Sequence, residues 1–363
     1  MATKLDRARA ACAEAGVDAL LISPSADLSY LTGYNAHPLE RLTCLVIPAA
    51  GDPFLVVPAL EQPAAAAVQE LEVELVAHNE TDDAYALVAA RLPRNVARVA
   101  VDNHMWAEKV LAFRRVLPGV EQTLAGDVLR ELRMRKSPTE VDSLRRAGAA
   151  IDRVHEQMGD WLRFGRTERE VARDIKAAIV AAGHATADFA IVASGPNGAS
   201  PHHEVSDRVI EAGDPVVVDI GGTMPDGYCS DSTRTYSVGE PPAEFARYYE
   251  VLLRAQVTQT DAVRPGITAE QLDGVGRDII AEAGYGEYFI HRTGHGIGLE
   301  GHEEPYIVAG SQQILEPGMT FSIEPGIYLP GKHGARIEDI VVCTETGGER
   351  LNLTSRELAI LEA

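Results

Sequence analysis

Four carboxylates in the C-terminal half of this chain each break or end a run of strand-forming residues, where a charge needs something to balance it, and one histidine stands among them in chain order. Asp219 follows Val216-Val217-Val218 and precedes Ile220-Gly221-Gly222, and Asp231 lies in the Thr-rich stretch Ser230-Asp231-Ser232-Thr233-Arg234-Thr235. His295 is set among glycines in His291-Arg292-Thr293-Gly294-His295-Gly296-Ile297-Gly298. Glu324 and Glu338 stand in Phe321-Ser322-Ile323-Glu324-Pro325-Gly326 and Ala335-Arg336-Ile337-Glu338-Asp339. Between the two aspartates, Gly221-Gly222-Thr223-Met224-Pro225-Asp226-Gly227 reads as a turn joining two strands, so both acids can face one another across a hairpin. Arg336 and Glu338, two apart on a strand, should share a face from which Asp339 points away.

Either these acids are separate strand-end charges, or they converge. Like charges about 4 Å apart repel by about 4 kcal/mol per pair at an effective dielectric near 20. Several such pairs would offset most of the ~5–15 kcal/mol by which a domain is stable. Convergence therefore implies cations, and two divalent ions against four carboxylates leave the site near neutral. Carboxylate oxygens suit ions such as manganese, while mixed Asp, Glu and His sets also hold zinc, cobalt or iron. Parity then makes Glu338 the ligand and Asp339 a structural, salt-bridging residue.

At 363 residues the chain is expected to form two domains. Residues 1–125 read as a small α/β domain, with strands at 18–22, 44–47 and 54–57, a Gly51-Asp52-Pro53 turn and Ala-rich helices. It carries no cluster of chemistry-bearing residues, so it should shape or cover a site, or dimerise. Residues 126–363 read as an α+β catalytic domain. Ser137-Pro138-Thr139-Glu140 forms a capping box at the head of a helix through about 162, and further helices are expected at 167–182, 242–263 and 268–284. The 54 acidic against 33 basic residues give a formal net charge of −21, which repels phosphate backbones and excludes nucleic acid as the main partner. With no signal-like apolar stretch near the N-terminus and no apolar run of about 18 residues, a cytoplasmic location away from membranes is expected. Cys12, Cys44, Cys229 and Cys343 lack C-x-x-C spacing and read as reduced, buried thiols, Cys229 as core filler sharing parity with Asp231.

The five motifs above, in this order, resemble the metallopeptidases of the methionine aminopeptidase and prolidase group, whose catalytic domain has the pita-bread fold. Arg135-Lys136-Ser137-Pro138-Thr139-Glu140 and the preceding α/β domain are similar to the creatinase-type N-terminal domain of Xaa-Pro dipeptidases and Xaa-Pro aminopeptidases, so the resemblance spans essentially the whole chain. Methionine aminopeptidase itself lacks such a domain. The resemblance implies that Asp219 binds one metal ion, that Asp231 and Glu338 bridge two, that His295 and Glu324 bind the other, and that Glu324 also shuttles a proton. It implies that His202, in Ser200-Pro201-His202-His203-Glu204, lies over the substrate and that His302, in Gly301-His302-Glu303-Glu304-Pro305, stabilises the tetrahedral intermediate. His291 should line the proline-side pocket, Arg336 should bind a substrate carboxylate or hold Glu338, and His203 should lie on the surface. Ser232 departs from the apolar residue frequent in relatives, without touching a ligand assignment.

These readings converge on a two-metal hydrolase of the Xaa-Pro imido bond, with manganese expected and cobalt or zinc as alternatives, and the resemblance implies a homodimer. A dipeptidase is expected because Arg41, in Asn35-Ala36-His37-Pro38-Leu39-Glu40-Arg41, could hold a free substrate carboxylate; a solvated surface charge is the plain alternative. The other readings are an Xaa-Pro aminopeptidase acting on longer peptides, a related metallohydrolase or lyase with a non-peptide substrate, and a binding protein on an inactive scaffold.

Overall fold

The computed structural model describes residues 3–69 and 71–362. The chain divides into two compact units, Met1–Arg133 and Met134–Ala363. Among the described residues, the first unit is built on a six-stranded sheet of β1 (Ala19–Ile22), β2 (Cys44–Pro48), β3 (Phe54–Pro58), β4 (Glu74–His78), β5 (Arg98–Val101) and β6 (Glu121–Leu124), in the order β4-β3-β2-β1-β5-β6. The expected turn joins β2 to β3, and Gly51 takes a φ of 125° that only glycine adopts without strain. Val46, Val56 and Val99 of the sheet pack with Val88 and Phe113 of the helices Ala84–Arg91 and Ala107–Val116.

The division falls after Arg133 rather than after residue 125. The helix Gly126–Met134 follows β6 directly and is held in the first unit by the Tyr30 hydroxyl, which donates to Leu132 O at 3.1 Å, and by an Arg133–Asp27 ion pair at 2.8 Å.

The second unit begins its first long helix, Pro138–His155, where the capping box places it: Ser137 Oγ accepts from Glu140 N, and the Glu140 carboxylate accepts from Ser137 N. This helix ends at His155, short of 162, with the ring tied to Tyr236 Oη at 2.9 Å and Ser232 O at 3.2 Å; a short helix, Met158–Trp161, follows. The helices Glu168–Ala181 and Ala269–Glu282 are each opened by a reciprocal capping box, on Thr167 and Thr268. Strands β7 (Thr186–Ser194), β8 (Asp214–Thr223) and β9 (Cys229–Val238) belong to one sheet. β10 (Gly294–Gly296), β11 (Glu303–Ile307), β12 (Thr320–Ile323), β15 (Asp339–Cys343) and β16 (Gly348–Arg350) form a second, and β13 (Gly326–Leu329) pairs with β14 (His333–Arg336) as a separate ribbon. A last strand, β17 (Ala359–Leu361), adds in parallel to β9.

Two apolar layers support these sheets. Ile151, Ile175 and Ile179 of the helices pack on Val192, Val216, Val218 and Ile220, and Leu272 packs on Phe321, Ile323 and Val341. Fully burying such a side chain contributes about 1.5–3 kcal/mol. A buried ion pair, Lys136 Nζ to Glu303 Oε1 at 2.6 Å, ties the head of the unit to the start of β11.

Candidate metal centre

In β8 the alternation of residues sends Val216, Val218 and Ile220 into the helix layer, which leaves Asp219 on the opposite face. The antiparallel register sets Thr233 opposite Asp219 and Asp231 opposite Gly221, so both acids share that face, offset by one pleat. His295 is the middle residue of β10, and its glycine neighbours answer a steric demand. A Cβ on Gly294 would stand 1.8 Å from Ser322 O, and one on Gly296 2.3 Å from Glu304 O. Glu324 follows β12, its amide donating to Thr293 O at 2.8 Å. Glu338 lies in the break between β14 and β15, where its amide donates to Thr233 O at 3.0 Å. Arg336 and Glu338 are thus on no common strand. Asp339 nevertheless points away, accepting from Arg234 at 2.7 Å, Arg350 at 2.8 Å and Gln256 at 3.0 Å.

The fold brings the five residues together. Among the described residues, three groups place ligand atoms within 4.8 Å of one another: Asp219, Asp231 and Glu338; His295, Glu324 and Glu338; and Asp231, His295 and His302. Burial, followed by the neighbouring Glu338 and Asp219, pushes the Asp231 carboxyl well above the usual range; burial and then Glu324 and Asp219 do the same to Glu338. Burial also holds the His295 ring down at about 4, so it is neutral at physiological pH. Its Nδ1–H donates to Gly296 O at 3.0 Å, which leaves the Nε2 lone pair facing Glu324 Oε1 at 3.3 Å and Asp231 Oδ2 at 3.7 Å.

Two further observations test whether the donor set fits cations. Asp219 Oδ1 and Glu338 Oε1 are buried without a hydrogen-bond partner, although the other oxygen of each is satisfied, by Arg336 Nη2 at 2.5 Å and Thr233 Oγ1 at 2.7 Å. Ser322 Oγ accepts from the His295 amide and donates to Glu324 Oε1, each at 3.0 Å. Ligands oriented by outer hydrogen bonds, with inward oxygens left over, suit divalent cations.

The remaining predicted residues are distributed unevenly. A cavity of about 760 Å³ is lined by the five residues together with His202, His291, His302 and Arg336, and by Phe189, Ile191 and Ile290. The His302 ring centroid lies 3.8 Å from that of His295, the rings tilted by 45°, and so His302 stands within ligand distance, beyond the role expected for it. His291 donates through Nδ1 to Arg292 O at 2.7 Å and accepts through Nε2 from the Tyr328 hydroxyl at 2.9 Å. Arg336 directs its guanidinium to Asp219, to Tyr328 Oη at 2.7 Å, to Thr233 Oγ1 at 3.2 Å and to Pro201 O at 3.3 Å, which leaves no face of it turned to a substrate carboxylate. It reaches Glu338 only through Thr233. His203, expected on the surface, is half-buried and bonds Glu168 Oε2 at 2.8 Å. Arg41 belongs to the first unit, where Glu80 at 2.7 Å and Glu40 at 2.6 Å take up its guanidinium. Cys229 packs with Leu144, Ile297 and Ile340 as core filler. Tyr328 and Thr233 were invisible as site residues in the sequence, because each reads there as ordinary strand content.

Residues 142–345 match Metallopeptidase family M24 and residues 4–135 match the Creatinase/Prolidase N-terminal domain. The chain belongs to metallopeptidase family M24. Among M24 relatives, the probable dipeptidase PepE of Mycobacterium tuberculosis is 54% identical over 99% of this chain and 96% of its own length. The Xaa-Pro dipeptidase of Lactobacillus helveticus is 39% identical over 98% of each chain. The crystal structure of dipeptidase PepE from Mycobacterium ulcerans superposes with a TM-score of 0.94 at 53% identity, covering 99% of this chain and 97% of that one. The fold is therefore a creatinase-type N-terminal domain followed by an M24 pita-bread catalytic domain, and the chain is a metal-dependent peptidase of Xaa-Pro dipeptidase type. No helix among the described residues is long and apolar enough to cross a membrane.

Proposed function

We propose that this enzyme hydrolyses the imido bond of Xaa-Pro dipeptides with two divalent ions, manganese the expected pair, held by Asp219, Asp231, His295, Glu324 and Glu338. The observation that carries the proposal is the convergence of these residues, with Asp219 Oδ1 and Glu338 Oε1 buried and unpaired, at the floor of a cavity with an apolar wall. Bound divalent cations there would supply Lewis acidity and a water activated near neutral pH. The chain's own groups do the rest. Phe189, Ile191 and Ile290 offer an apolar surface to the proline ring and its neighbour. His202 and His302 line the same cavity and can donate to a carbonyl oxygen as charge builds on it, a contribution of about 3–4 kcal/mol for one such donor. Glu324 carries the proton that the departing proline nitrogen requires. An imide nitrogen has no hydrogen to donate, so general peptidases that grip a substrate N–H are excluded from this bond.

The dipeptide preference is supported by the names of the relatives. The cavity volume, in the upper part of the roughly 300–1000 Å³ range of small-molecule sites, favours an Xaa-Pro aminopeptidase as the second reading. Metal-stripped protein reconstituted with manganese, zinc or cobalt is expected to cleave Ala-Pro and to leave Ala-Pro-Ala and Ala-Ala intact, and Asp231→Asn is expected to lose both metal and turnover. Cleavage of the tripeptide would establish the aminopeptidase. Near-normal activity of Asp231→Asn would sink the whole assignment.

A further inference from the structure

His202 makes no side-chain hydrogen bond among the described residues, so the backbone that carries it decides where it stands. That backbone is residues 194–206, which leave the end of β7, present Ser200, Pro201 and His202 to the cavity, and return toward β8. Both ends of the excursion are gathered on one fully buried carboxylate, Glu168, at the first turn of the helix Glu168–Ala181. Oε1 accepts from Ser194 N and Ser194 Oγ at 2.8 Å each and from Asn197 Nδ2 at 3.0 Å. Oε2 accepts from Ser206 Oγ at 2.7 Å, His203 Nε2 at 2.8 Å and Ser206 N at 3.1 Å. Burial alone would raise this carboxyl, but the Ser194 amide, Ser206, Asn197 and His203 outweigh it and hold it down at about 2.

The tip is fixed from the other side. Arg336 Nη1 and Nη2 each reach Pro201 O at 3.3 Å, and a Cβ on Gly334 of β14 would stand 2.1 Å from Gly198 O, so the excursion lies directly on the ribbon that ends at Arg336.

We infer that Glu168 is a positioning residue for the hydrolysis: by holding both ends of the 194–206 excursion on one carboxylate, it sets where His202 stands over the cavity. This rests on the reading of His202 as a substrate-facing residue. A carboxylate is specifically required, since each oxygen faces a backbone N–H, of Ser194 or of Ser206. A glutamine would turn its NH2 against one of them in either orientation.

The test is a double-mutant cycle on the metal-reconstituted full chain with Ala-Pro, using Glu168→Gln, His202→Ala and the pair, together with backbone amide exchange of the metal-free proteins. Glu168→Gln is expected to lower kcat/KM ten- to hundredfold alone, on the order of a 1 Å misplacement, but less than about twofold in the His202→Ala background, where nothing remains to position. Exchange should rise across 194–206 and stay unchanged in β8 and β9. An equal loss in both backgrounds, or no loss in either, overturns the inference. Should Glu168→Gln fail to fold, His203→Ala removes a single donor from a half-buried position and is judged by the same criteria. A wild-type protein inactive on Ala-Pro would instead overturn the proposed function, and unchanged exchange across 194–206 in Glu168→Gln would then overturn the clamp separately.

Discussion

Arg336 is the residue whose meaning changes most between sequence and structure. In the linear motif it stands two positions before Glu338, and a guanidinium near a peptidase site suggests a grip on the substrate carboxylate. In the fold its donors go to Asp219, Tyr328, Thr233 and Pro201. It therefore orients one oxygen of Asp219 and leaves the other, Oδ1, buried without a partner, as the proposed cation site requires. Lysine cannot reproduce this, because an ammonium is a point charge without the planar fork that reaches several acceptors at once. Arg336→Lys is expected to keep its secondary structure and to bind manganese about 10–100-fold more weakly in calorimetric titration, the usual cost of losing an outer partner of a ligand. Unchanged affinity would mean that Asp219 needs no such support. Parity could not have given this result. It presumes a continuous strand through 336–338, whereas β14 ends at Arg336 and β15 starts at Asp339.

At the scale of elements, the aspartate hairpin was legible because an apolar run, a Pro225-Asp226-Gly227 turn and a Thr-rich run each obey local rules. The placement of β10 between β11 and β12 has a reason that is not local. Gly294 and Gly296 belong to a glycine-rich segment in which the sequence marks no strand, yet they form one pressed against β12 and β11. Gly294→Ala is expected to destabilise the protein by at least about 1–3 kcal/mol through overpacking against Ser322 O, and to weaken metal binding by displacing His295. Gly274 is a useful contrast. It lies inside the helix Ala269–Glu282 with no atom within 4 Å of an added Cβ, so Gly274→Ala should stabilise by about 0.5–1 kcal/mol. Urea unfolding of both variants checks the pair, and equal shifts would contradict the packing account.

Charge governs the molecule as a whole. The chain carries a formal −21 and buries Asp219, Asp231 and Glu338 beside Glu324, so without bound cations the four acids would have, among the described residues, only the Arg336 guanidinium to offset them. Chelator-treated protein is expected to melt at a lower temperature, and manganese at 100 times its dissociation constant should restore about 2.7 kcal/mol of stability by mass action. A melting temperature indifferent to both would show that the acids carry no ions. Long-range organisation of this kind was partly readable beforehand. The two-unit plan, the helices, the Ser137 capping box and the identity of the convergent residues follow from composition, local rules and ordered motifs, because strand runs and caps depend on near neighbours. What only the tertiary structure decided is how the residues between those landmarks are used. Tyr328 meets His291 and Arg336, Thr233 meets Glu338, and Glu168 meets His203 across chain separations that no periodicity encodes. Such contacts depend on which sheet faces which, and that is settled by packing the apolar layers rather than by any residue's own preference.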